Sequence, residues 1–133
     1  MLIYFDSVIA IYLLDHTGSF QRRAAARLAL LESAGDRIAV TDLTRLECRV
    51  KPLARGDAVK LAGFDVFFTR PDVLKVPLTT ALYERATLLR AGYNFKLGDS
   101  LHLAAAIENG CDSLLTNDAR LSRCKDIAVE TLP

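Results

Sequence analysis

The amino-acid sequence predicts an α/β domain in which four to five short parallel strands form a central sheet. Short apolar segments that are typical of buried strands alternate with longer segments whose apolar residues recur at helical spacing. This alternation favours a parallel sheet with helices on both faces, because parallel strands need a helical crossover between them. The chain has 133 residues, 51% of them hydrophobic, and no linker or repeat divides it. Residues 1–133 are therefore expected to form one domain with its own core.

The first predicted strand and helix come directly from the N-terminal residues. The segment Met1–Phe5 is apolar and contains isoleucine and tyrosine, which is typical of a buried strand. Ser7 is expected to cap a helix that extends to about Leu14, because its hydroxyl can accept a hydrogen bond from a backbone N–H of the first turn. A polar break is predicted over residues 15–19.

The second helix and strand follow this break. Four apolar residues recur at spacings of 4, 4 and 3, which places them on one face of a helix. These residues are Phe20, Ala24, Leu28 and Leu31. Gly35 is expected to end the helix, since glycine readily adopts the left-handed conformation of a helix C-terminus. Residues 37–40 form the second predicted strand.

The middle of the chain contains two further helices and the third strand. Thr41 is expected to cap a helix, which Pro52 and Gly56 would end or interrupt. The expected buried face of this helix consists of Leu43, Leu46 and Val50. A phenylalanine-rich helix is predicted over residues 57–69, and a strand over residues 73–76.

Two more helices are predicted in the last third of the chain. Helical spacing of apolar residues defines the first, and its exit lies near Gly92. Its spaced residues are Leu82, Ala86, Leu89 and Tyr93. Gly98 and Asp99 open an alanine-rich helix that is expected to end at Asn109 and Gly110.

The remaining strands are predicted over residues 113–115 and, as an edge strand, over residues 127–132. A short helix is expected after Asp118. In parallel α/β sheets, ligands bind beyond the carboxyl ends of the strands, where the strand order reverses. Asp6 follows the first predicted strand and Asp118 follows the fourth, so both are candidates for such a site.

Four acidic residues stand out by their position in this arrangement. Asp6 and Asp118 follow strands, Asp99 opens the alanine-rich helix, and Glu47 lies on the shoulder of an apolar stripe. Each has an ordinary explanation taken alone, because aspartate is common at caps and turns and Glu47 could pair with a neighbouring arginine. Together, however, strand ends and helix starts of an α/β sheet can bring these carboxylates into one crevice.

Several carboxylates in one crevice would repel each other and raise each other's pKa values. A divalent metal ion would keep them ionised. Oxygen ligands without a histidine or cysteine cluster favour Mg²⁺ or Mn²⁺ over Zn²⁺. Such an ion suits phosphate chemistry, because it polarises a phosphoryl oxygen and activates a bound water.

Charge and cysteine content restrict the class of protein. The formal net charge of +1 excludes a wholesale basic coat, although a local basic patch remains open. The three cysteines form no CxxC pair, which favours a reducing compartment over a disulfide framework. No apolar segment approaches the length of a membrane helix, and Asp6 interrupts the N-terminal apolar run that a signal peptide would need. A cytoplasmic protein without a membrane partner is expected.

These residues resemble the PIN-domain nucleases, in particular the VapC-like toxins of bacterial and archaeal toxin–antitoxin pairs. The resemblance spans nearly the whole chain and is carried by four segments in a fixed order. The segments are Ile3-Tyr4-Phe5-Asp6-Ser7, Thr41 through Leu46-Glu47, residues 97–106 (LGDSLHLAAA) and Leu115-Thr116-Asn117-Asp118.

The resemblance implies a three-layer α/β/α fold and an endoribonuclease that depends on Mg²⁺ or Mn²⁺. It implies that Asp6 and Asp99 bind the metal directly. Glu47 and Asp118 would bind it through water or hold a second metal, and all four acids would be catalytic. The small polar residues that match the family's positions beside the acids, and that would hydrogen-bond to them, are Ser7, Thr116 and Asn117.

The implied reaction is in-line attack of an activated water on an RNA phosphodiester, which leaves a 5′-phosphate product. The implied partners are the RNA substrate, a cognate antitoxin whose peptide lies in a groove near the site, and a second copy of the chain in a homodimer. The protein would then be the toxin of a toxin–antitoxin pair.

Rival interpretations are weaker. A metal-free ribonuclease would need two histidines as acid and base, and the chain has only His16 and His102. His102 lies three residues after Asp99 on the same helix face, so a structural role or assistance to the site is expected for it. A zinc site built from Cys111, Cys124 and His102 lacks suitable spacing and a fourth ligand. The alternative from another class is a non-catalytic PIN-like module that binds RNA or a protein.

Overall fold

A computed structural model describes residues 1–15 and 18–133 of the chain. The five strands are β1 (Leu2–Phe5), β2 (Arg37–Val40), β3 (Val73–Lys75), β4 (Ser113–Thr116) and β5 (Ala128–Thr131). They form one sheet in the order β3-β2-β1-β4-β5, and every neighbouring pair is parallel. The predicted parallel sheet is confirmed, with β5 as an edge strand.

Six α-helices connect or flank the strands. They are α1 (Ser7–Leu14), α2 (Gly18–Ala34), α3 (Asp42–Ala54), α4 (Ala58–Phe68), α5 (Thr80–Tyr93) and α6 (Leu97–Glu108). A short 3₁₀ helix covers Ala119–Arg123, where the sequence predicts a short helix. No helix in the two described ranges is both long and apolar enough to cross a membrane.

The sheet lies between two hydrophobic clusters, which gives three layers. Tyr4 of β1 packs with residues of α5 and α6 on one face, whereas Ile3 and Phe5 pack with residues of α1 to α4 on the other. This division follows from the strand itself, because successive side chains of a strand point to opposite faces. The α/β/α layering expected from the resemblance is therefore confirmed.

Strand β1 is the point at which the strand order reverses. Its neighbours are β2 on one side and β4 on the other, so the chain leaves β1 in one direction and later returns on the opposite side. The crevice at the carboxyl end of such a strand is where parallel α/β sheets place their ligands. Asp6 lies at this end of β1, and residues 116–118 lie at the adjoining end of β4.

Two predictions about helix ends are corrected by the structure. Asp6 rather than Ser7 caps α1, because the Asp6 carboxylate accepts a hydrogen bond from the Ser7 backbone N–H at 2.8 Å. Pro52 does not end α3, which continues to Ala54. Part of the predicted polar break, residues 16–17, lies outside the described residues, and α2 already begins at Gly18.

The predicted buried face of α3 is also wrong. Leu46 and Val50 are exposed, with 62% and 55% of their surface accessible, and Leu43 is only partly buried. The residues that face the core are Thr44, Cys48 and Pro52. The Thr44 hydroxyl is within hydrogen-bond distance of the Tyr4 hydroxyl, and the Cys48 thiol donates to the Ser7 carbonyl. These contacts supply hydrogen-bond partners to polar groups that would be costly to bury alone. The orientation of α3 therefore follows from them and not from the spacing of its apolar residues.

We expect Gly63→Ala to stabilise the protein by about 1 kcal/mol, or roughly 3 °C in Tm, because glycine is a poor helix former. Gly63 lies inside α4, and a Cβ atom there would meet the Leu14 side chain at 3.6 and 3.8 Å, ordinary contact distances. Thermal unfolding followed by circular dichroism measures the change.

Gly35→Ala is the matched control. Gly35 has a φ of +73°, where an alanine is strained, so this variant should lose about 1 kcal/mol. A fall in Tm for Gly63→Ala comparable to that of Gly35→Ala would contradict the expected packing at Gly63.

Candidate active site

Asp6 is held at the end of β1 by donors from two elements. Its Oδ1 accepts the Ser7 N–H at 2.8 Å, and its Oδ2 accepts the Thr116 hydroxyl at 2.7 Å. Thr116 is the last residue of β4, so this bond links the ends of two neighbouring parallel strands. Both carboxylate oxygens therefore have fixed positions at the point where the strand order reverses.

Glu47 extends from α3 toward the same end of the sheet. Its Oε1 accepts the Ser7 hydroxyl at 2.7 Å and lies 2.6 Å from His102 Nε2. Burial acts to raise the pKa of Glu47, but the hydrogen bonds from His102 and Ser7 outweigh burial and leave the pKa below its usual value. The two arginines nearest in sequence, Arg45 and Arg49, lie closest to Asp65 instead, at 3.8 and 3.5 Å.

His102 connects Glu47 to the core. The histidine is 2% exposed, and its Nδ1 lies 2.7 Å from the Tyr4 hydroxyl on β1. An ionised carboxylate can only accept, so Nε2 carries the proton that is donated to Glu47. His102 Nε2 also lies 3.8 Å from Asp6 Oδ1. The histidine thus joins α6, α3 and β1 at the site.

Tyr4 completes this buried polar chain. Besides His102, its hydroxyl has two possible partners, Thr41 Oγ1 at 3.2 Å and Thr44 Oγ1 at 3.3 Å. Burial raises the pKa of Tyr4 far above its usual value, so the side chain stays a neutral hydroxyl. Tyr4 and Thr44 were not expected at the site from the sequence. A tyrosine inside a buried strand is a usable signal, because its hydroxyl needs a partner.

Asp99 differs from the other acids because its carboxylate lacks a hydrogen-bond donor among the described residues. It lies in the first turn of α6 and is half-buried. No residue in the described ranges donates a hydrogen bond to its carboxylate. Burial raises the pKa of Asp99 and the negative charges of Asp6 and Asp118 raise it further, while His102 and Arg120 offset this rise only in part. The electrostatic effect of the two acids on Asp99 indicates that all three share one region.

Asp118 is the cap of the 3₁₀ helix and forms an ion pair with Arg120. The closest approach is 2.6 Å, from Arg120 Nη2 to Asp118 Oδ2, and the Arg120 backbone N–H also bonds to the carboxylate. This hydrogen bonding lowers the pKa of Asp118. The Asp118 backbone N–H donates to the Thr116 hydroxyl at 3.1 Å, so the same threonine contacts both Asp118 and Asp6.

The predicted small polar residues fall into two groups. Ser7 donates to Glu47 and Thr116 donates to Asp6. The Asn117 amide instead donates to the hydroxyl of Tyr12 at 3.0 Å. Arg120, which the sequence pattern does not single out, forms an ion pair with Asp118.

The oxygen atoms of these acids are the ligand type that a hard divalent cation prefers, although their side chains do not converge on one coordination site. Within the described ranges, no group of three or more His, Cys, Asp or Glu side chains is positioned to hold a metal ion. The four acids offer only oxygen atoms, and the half-buried carboxylate of Asp99 lacks a donor. Glu47 and Asp118 are engaged by His102 and Arg120.

A groove of about 240 Å³ lies on the Glu47 side of the site, between α1, α3 and α4. Its lining mixes apolar side chains such as Ile11 and Phe64 with equal numbers of basic and acidic ones. The charged residues are Lys51, Arg55, Lys60, Asp15, Glu47 and Asp57. A segment of another molecule in this groove would reach the candidate site.

Solved structures with the same fold include toxin–antitoxin proteins. VapBC2 from Rickettsia felis, bound to a DNA fragment from its promoter, aligns with a TM-score of 0.81 and 17% identity, and all of both chains is covered. DNA-bound VapBC from Salmonella typhimurium gives 0.77 and 19%, again over all of both chains. VapC20 from Mycobacterium tuberculosis, a toxin that cleaves the sarcin–ricin loop, gives 0.74 and 14%, with 91% of this chain and 93% of that chain covered.

Sequence comparison gives the family directly. Comparison with curated protein sequences finds no significant match. The model of the PIN domain family matches residues 3–127, a range that includes all four acids described above. Because this match spans nearly the whole chain, the protein belongs to the PIN domain family.

Proposed function

We propose that this PIN domain is a metal-dependent endoribonuclease that acts as the toxin of a toxin–antitoxin pair. The observation that carries the proposal is the state of Asp99, a half-buried carboxylate that lies near two other acids and lacks a donor in the described ranges. An arrangement that costs folding stability is typical of a functional site. Membership of a family whose members are generally nucleases gives this site its chemistry.

Asp6 and Asp99 would hold the Mg²⁺ or Mn²⁺ ion directly, and Glu47 and Asp118 through water or at a second ion. When bound, a divalent cation polarises a phosphodiester and activates a water for attack. Thr116 and the Ser7 N–H keep the Asp6 carboxylate oriented. Arg120 would have to share Asp118 with the ion, and as an exposed guanidinium it is suited to a phosphate of the substrate.

Glu47 is the residue best suited to orient the attacking water and accept its proton. Its pKa is lowered, so it is ionised at neutral pH. Ser7 and His102 both bond to Oε1, which leaves Oε2 for water. His102 is a positioning residue in this scheme. Its ring is held by the Tyr4 hydroxyl at Nδ1, and it orients the Glu47 carboxylate through Nε2. In-line attack of the water oxygen on phosphorus would break the P–O3′ bond, so that one RNA fragment ends in a 5′-phosphate and the other in a 3′-hydroxyl.

The proposed partners follow from two surfaces. The groove between α1, α3 and α4 opens beside Glu47, and its mixture of apolar, acidic and basic side chains suits a peptide segment of a cognate antitoxin. The exposed apolar residues Leu46, Val50 and Leu53 lie on one stripe of α3, and this stripe suits contact with a second copy of the chain. The antitoxin, the second copy and the RNA substrate would all meet this protein in the cytoplasm.

The alternative function is a PIN-like module that binds RNA or a protein without cutting. The hydrogen bonds from His102 to Glu47 and from Arg120 to Asp118 favour it, because they engage two of the acids without a metal. Asp99, whose pKa is raised and which has no donor in the described ranges, argues against it.

The first test is cleavage of RNA. Purified protein should cut RNA when Mn²⁺ or Mg²⁺ is added, and a chelator should stop the reaction. Asp6→Asn and Asp99→Asn should each reduce the rate by at least about 100-fold, because each removes a charged ligand. Gel analysis of labelled RNA gives the rates, and circular dichroism checks the fold.

Asp42→Asn is the matched control, since Asp42 is an exposed aspartate paired with Lys75 at the start of α3. It should cleave at the wild-type rate. Full activity of Asp6→Asn or Asp99→Asn with metal present would defeat the assignment, and metal-independent RNA binding without cleavage would favour the binding module.

The second test uses stability instead of activity. The raised pKa of Asp99 means that the folded protein binds this proton more tightly than the unfolded chain does. Its contribution to stability is therefore complete below about pH 4, the unfolded pKa, and is lost as pH rises through the folded pKa. Without metal, Asp99→Asn should unfold at a higher temperature than wild type at pH 7, and the difference should vanish near pH 3.

Added Mn²⁺ should reverse this order at pH 7, because binding to the folded state raises the Tm of wild type and raises that of Asp99→Asn less. Equal shifts in both proteins would show that Asp99 is not a ligand. A metal-free Tm for Asp99→Asn at or below that of wild type would contradict the electrostatic account of the site.

The third test separates the charge of Glu47 from its hydrogen bonds. Gln at position 47 keeps an oxygen that can accept from Ser7 and His102, so Glu47→Gln should leave the Tm nearly unchanged. RNA cleavage should fall by about 100-fold or more, because the base is lost. Glu84→Gln, on the exposed surface of α5, is the control and should change neither quantity. A large fall in Tm with full activity would make Glu47 a structural residue.

A further inference from the structure

A pair of stacked aromatic rings begins at the rim of the candidate site. Tyr12 of α1 and Phe20 of α2 have ring centroids 4.9 Å apart and planes inclined by only 11°. The Tyr12 hydroxyl accepts the Asn117 amide at 3.0 Å. Asn117 lies between Thr116, which bonds to Asp6, and Asp118. One continuous set of contacts therefore leads from the acids to the Phe20 ring.

Phe20 does not behave as a core residue. It is the first member of the apolar stripe of α2, in which Ala24 and Leu31 are fully buried, yet 43% of its own surface is exposed. The ring thus leaves the core stripe and rests on Tyr12, whose position Asn117 fixes. An aromatic ring held at the surface in this way presents a preorganised stacking surface.

Positive charge surrounds this ring. The Arg23 guanidinium lies over the Phe20 ring, with its central carbon 5.5 Å from the ring centroid, and Arg22 and Arg23 are both exposed. Neither arginine has an acidic side chain within salt-bridge distance in the described ranges, whereas Arg27, one turn further on, is paired with Glu130 at 2.9 Å. A shallow groove continues along α2 past these arginines to Leu30 and Pro133.

We propose that Phe20, supported by Tyr12 and flanked by Arg22 and Arg23, is a binding platform for an unpaired base of single-stranded RNA. This inference rests on the proposed function and names the form of RNA that the site takes. Bases of single strands stack on aromatic rings and on guanidinium planes, and arginines neutralise the adjoining phosphates. Stacking of this kind tolerates any base, so the platform sets the path of the strand and not its sequence.

The chemistry of this face favours a nucleotide over a peptide. It presents one ring and two arginines that have no acidic side chain within salt-bridge distance in the described residues, which complements a base with its phosphates. The groove between α1, α3 and α4, in contrast, mixes acids, bases and apolar residues. The two surfaces involve different residues of α1, since Tyr12 contacts Phe20 and Ile11 lines the groove.

Binding of RNA in the presence of a chelator tests the platform without any cleavage. A short labelled single-stranded RNA and the duplex form of the same sequence are titrated by fluorescence anisotropy. Phe20→Leu should weaken single-strand binding by about tenfold and leave duplex binding unchanged, because a duplex offers no unpaired base. Arg23→Gln should weaken both and reduce the salt dependence of binding by about one charge.

Phe20→Trp provides a rescue variant and a direct signal. Tryptophan keeps a stacking surface, so single-strand affinity should match wild type. The chain contains no tryptophan, so the fluorescence of this variant reports only on position 20. Single-stranded RNA should change its emission, and duplex RNA should not.

The outcomes separate the platform from the nuclease. With metal present, Phe20→Leu should raise KM for single-stranded RNA and leave kcat unchanged. Cleavage by wild type with the same KM and RNA affinity in Phe20→Leu overturns the platform alone and leaves this face for a protein partner. Absence of cleavage in wild type, with binding that depends on Phe20, overturns the nuclease and keeps the platform. Equal losses for single strand and duplex, with a lower Tm, would assign Phe20 to packing and overturn the proposal.

Discussion

The hydrogen-bond chain from Tyr4 through His102 to Glu47 determines how three elements of this domain fit together. It joins β1, α6 and α3 through bonds of 2.7 and 2.6 Å, and both Tyr4 and His102 are almost completely buried. A buried polar group without a partner costs more than its hydrogen bond would contribute, so these side chains admit few alternative arrangements. The rotation of α3, the ring plane of His102 and the direction of the Glu47 carboxylate all follow from the same constraint.

This constraint explains where sequence patterns succeed and where they fail. Strand and helix limits are predicted well because local chemistry sets them, as at Thr41, whose hydroxyl caps α3, and at Gly35, whose positive φ ends α2. The acids at the ends of β1 and β4 are predictable from the strand pattern alone. The buried face of α3 is not, because hydrophobic periodicity gives no weight to the bond between Thr44 and Tyr4, which turns Leu46 and Val50 outward.

The four acids differ in a way that sequence position does not reveal. Asp6 is oriented by a threonine and a backbone amide, Glu47 by a histidine and a serine, and Asp118 by an arginine, whereas Asp99 has no donor among the described residues. His102 and Thr116 are distant in sequence from the acids that they contact. Arg120 is near Asp118 in sequence, but an arginine two residues away does not by itself predict an ion pair. Three of the four carboxylates thus have hydrogen-bond donors, whereas the ionised form of Asp99 has none among the described residues. A carboxylate with a raised pKa in a cleft is typical of a functional site.

Helix α3 faces two environments at adjacent positions. Leu46 points to solvent together with Val50 and Leu53, while the next residue, Glu47, points into the pocket. A contact that covers this apolar stripe therefore restrains the backbone that carries the carboxylate. If a second copy of the chain covers this stripe, as proposed above, its binding and the position of the Glu47 carboxylate are thermodynamically linked, and protein concentration alone acts on the pocket.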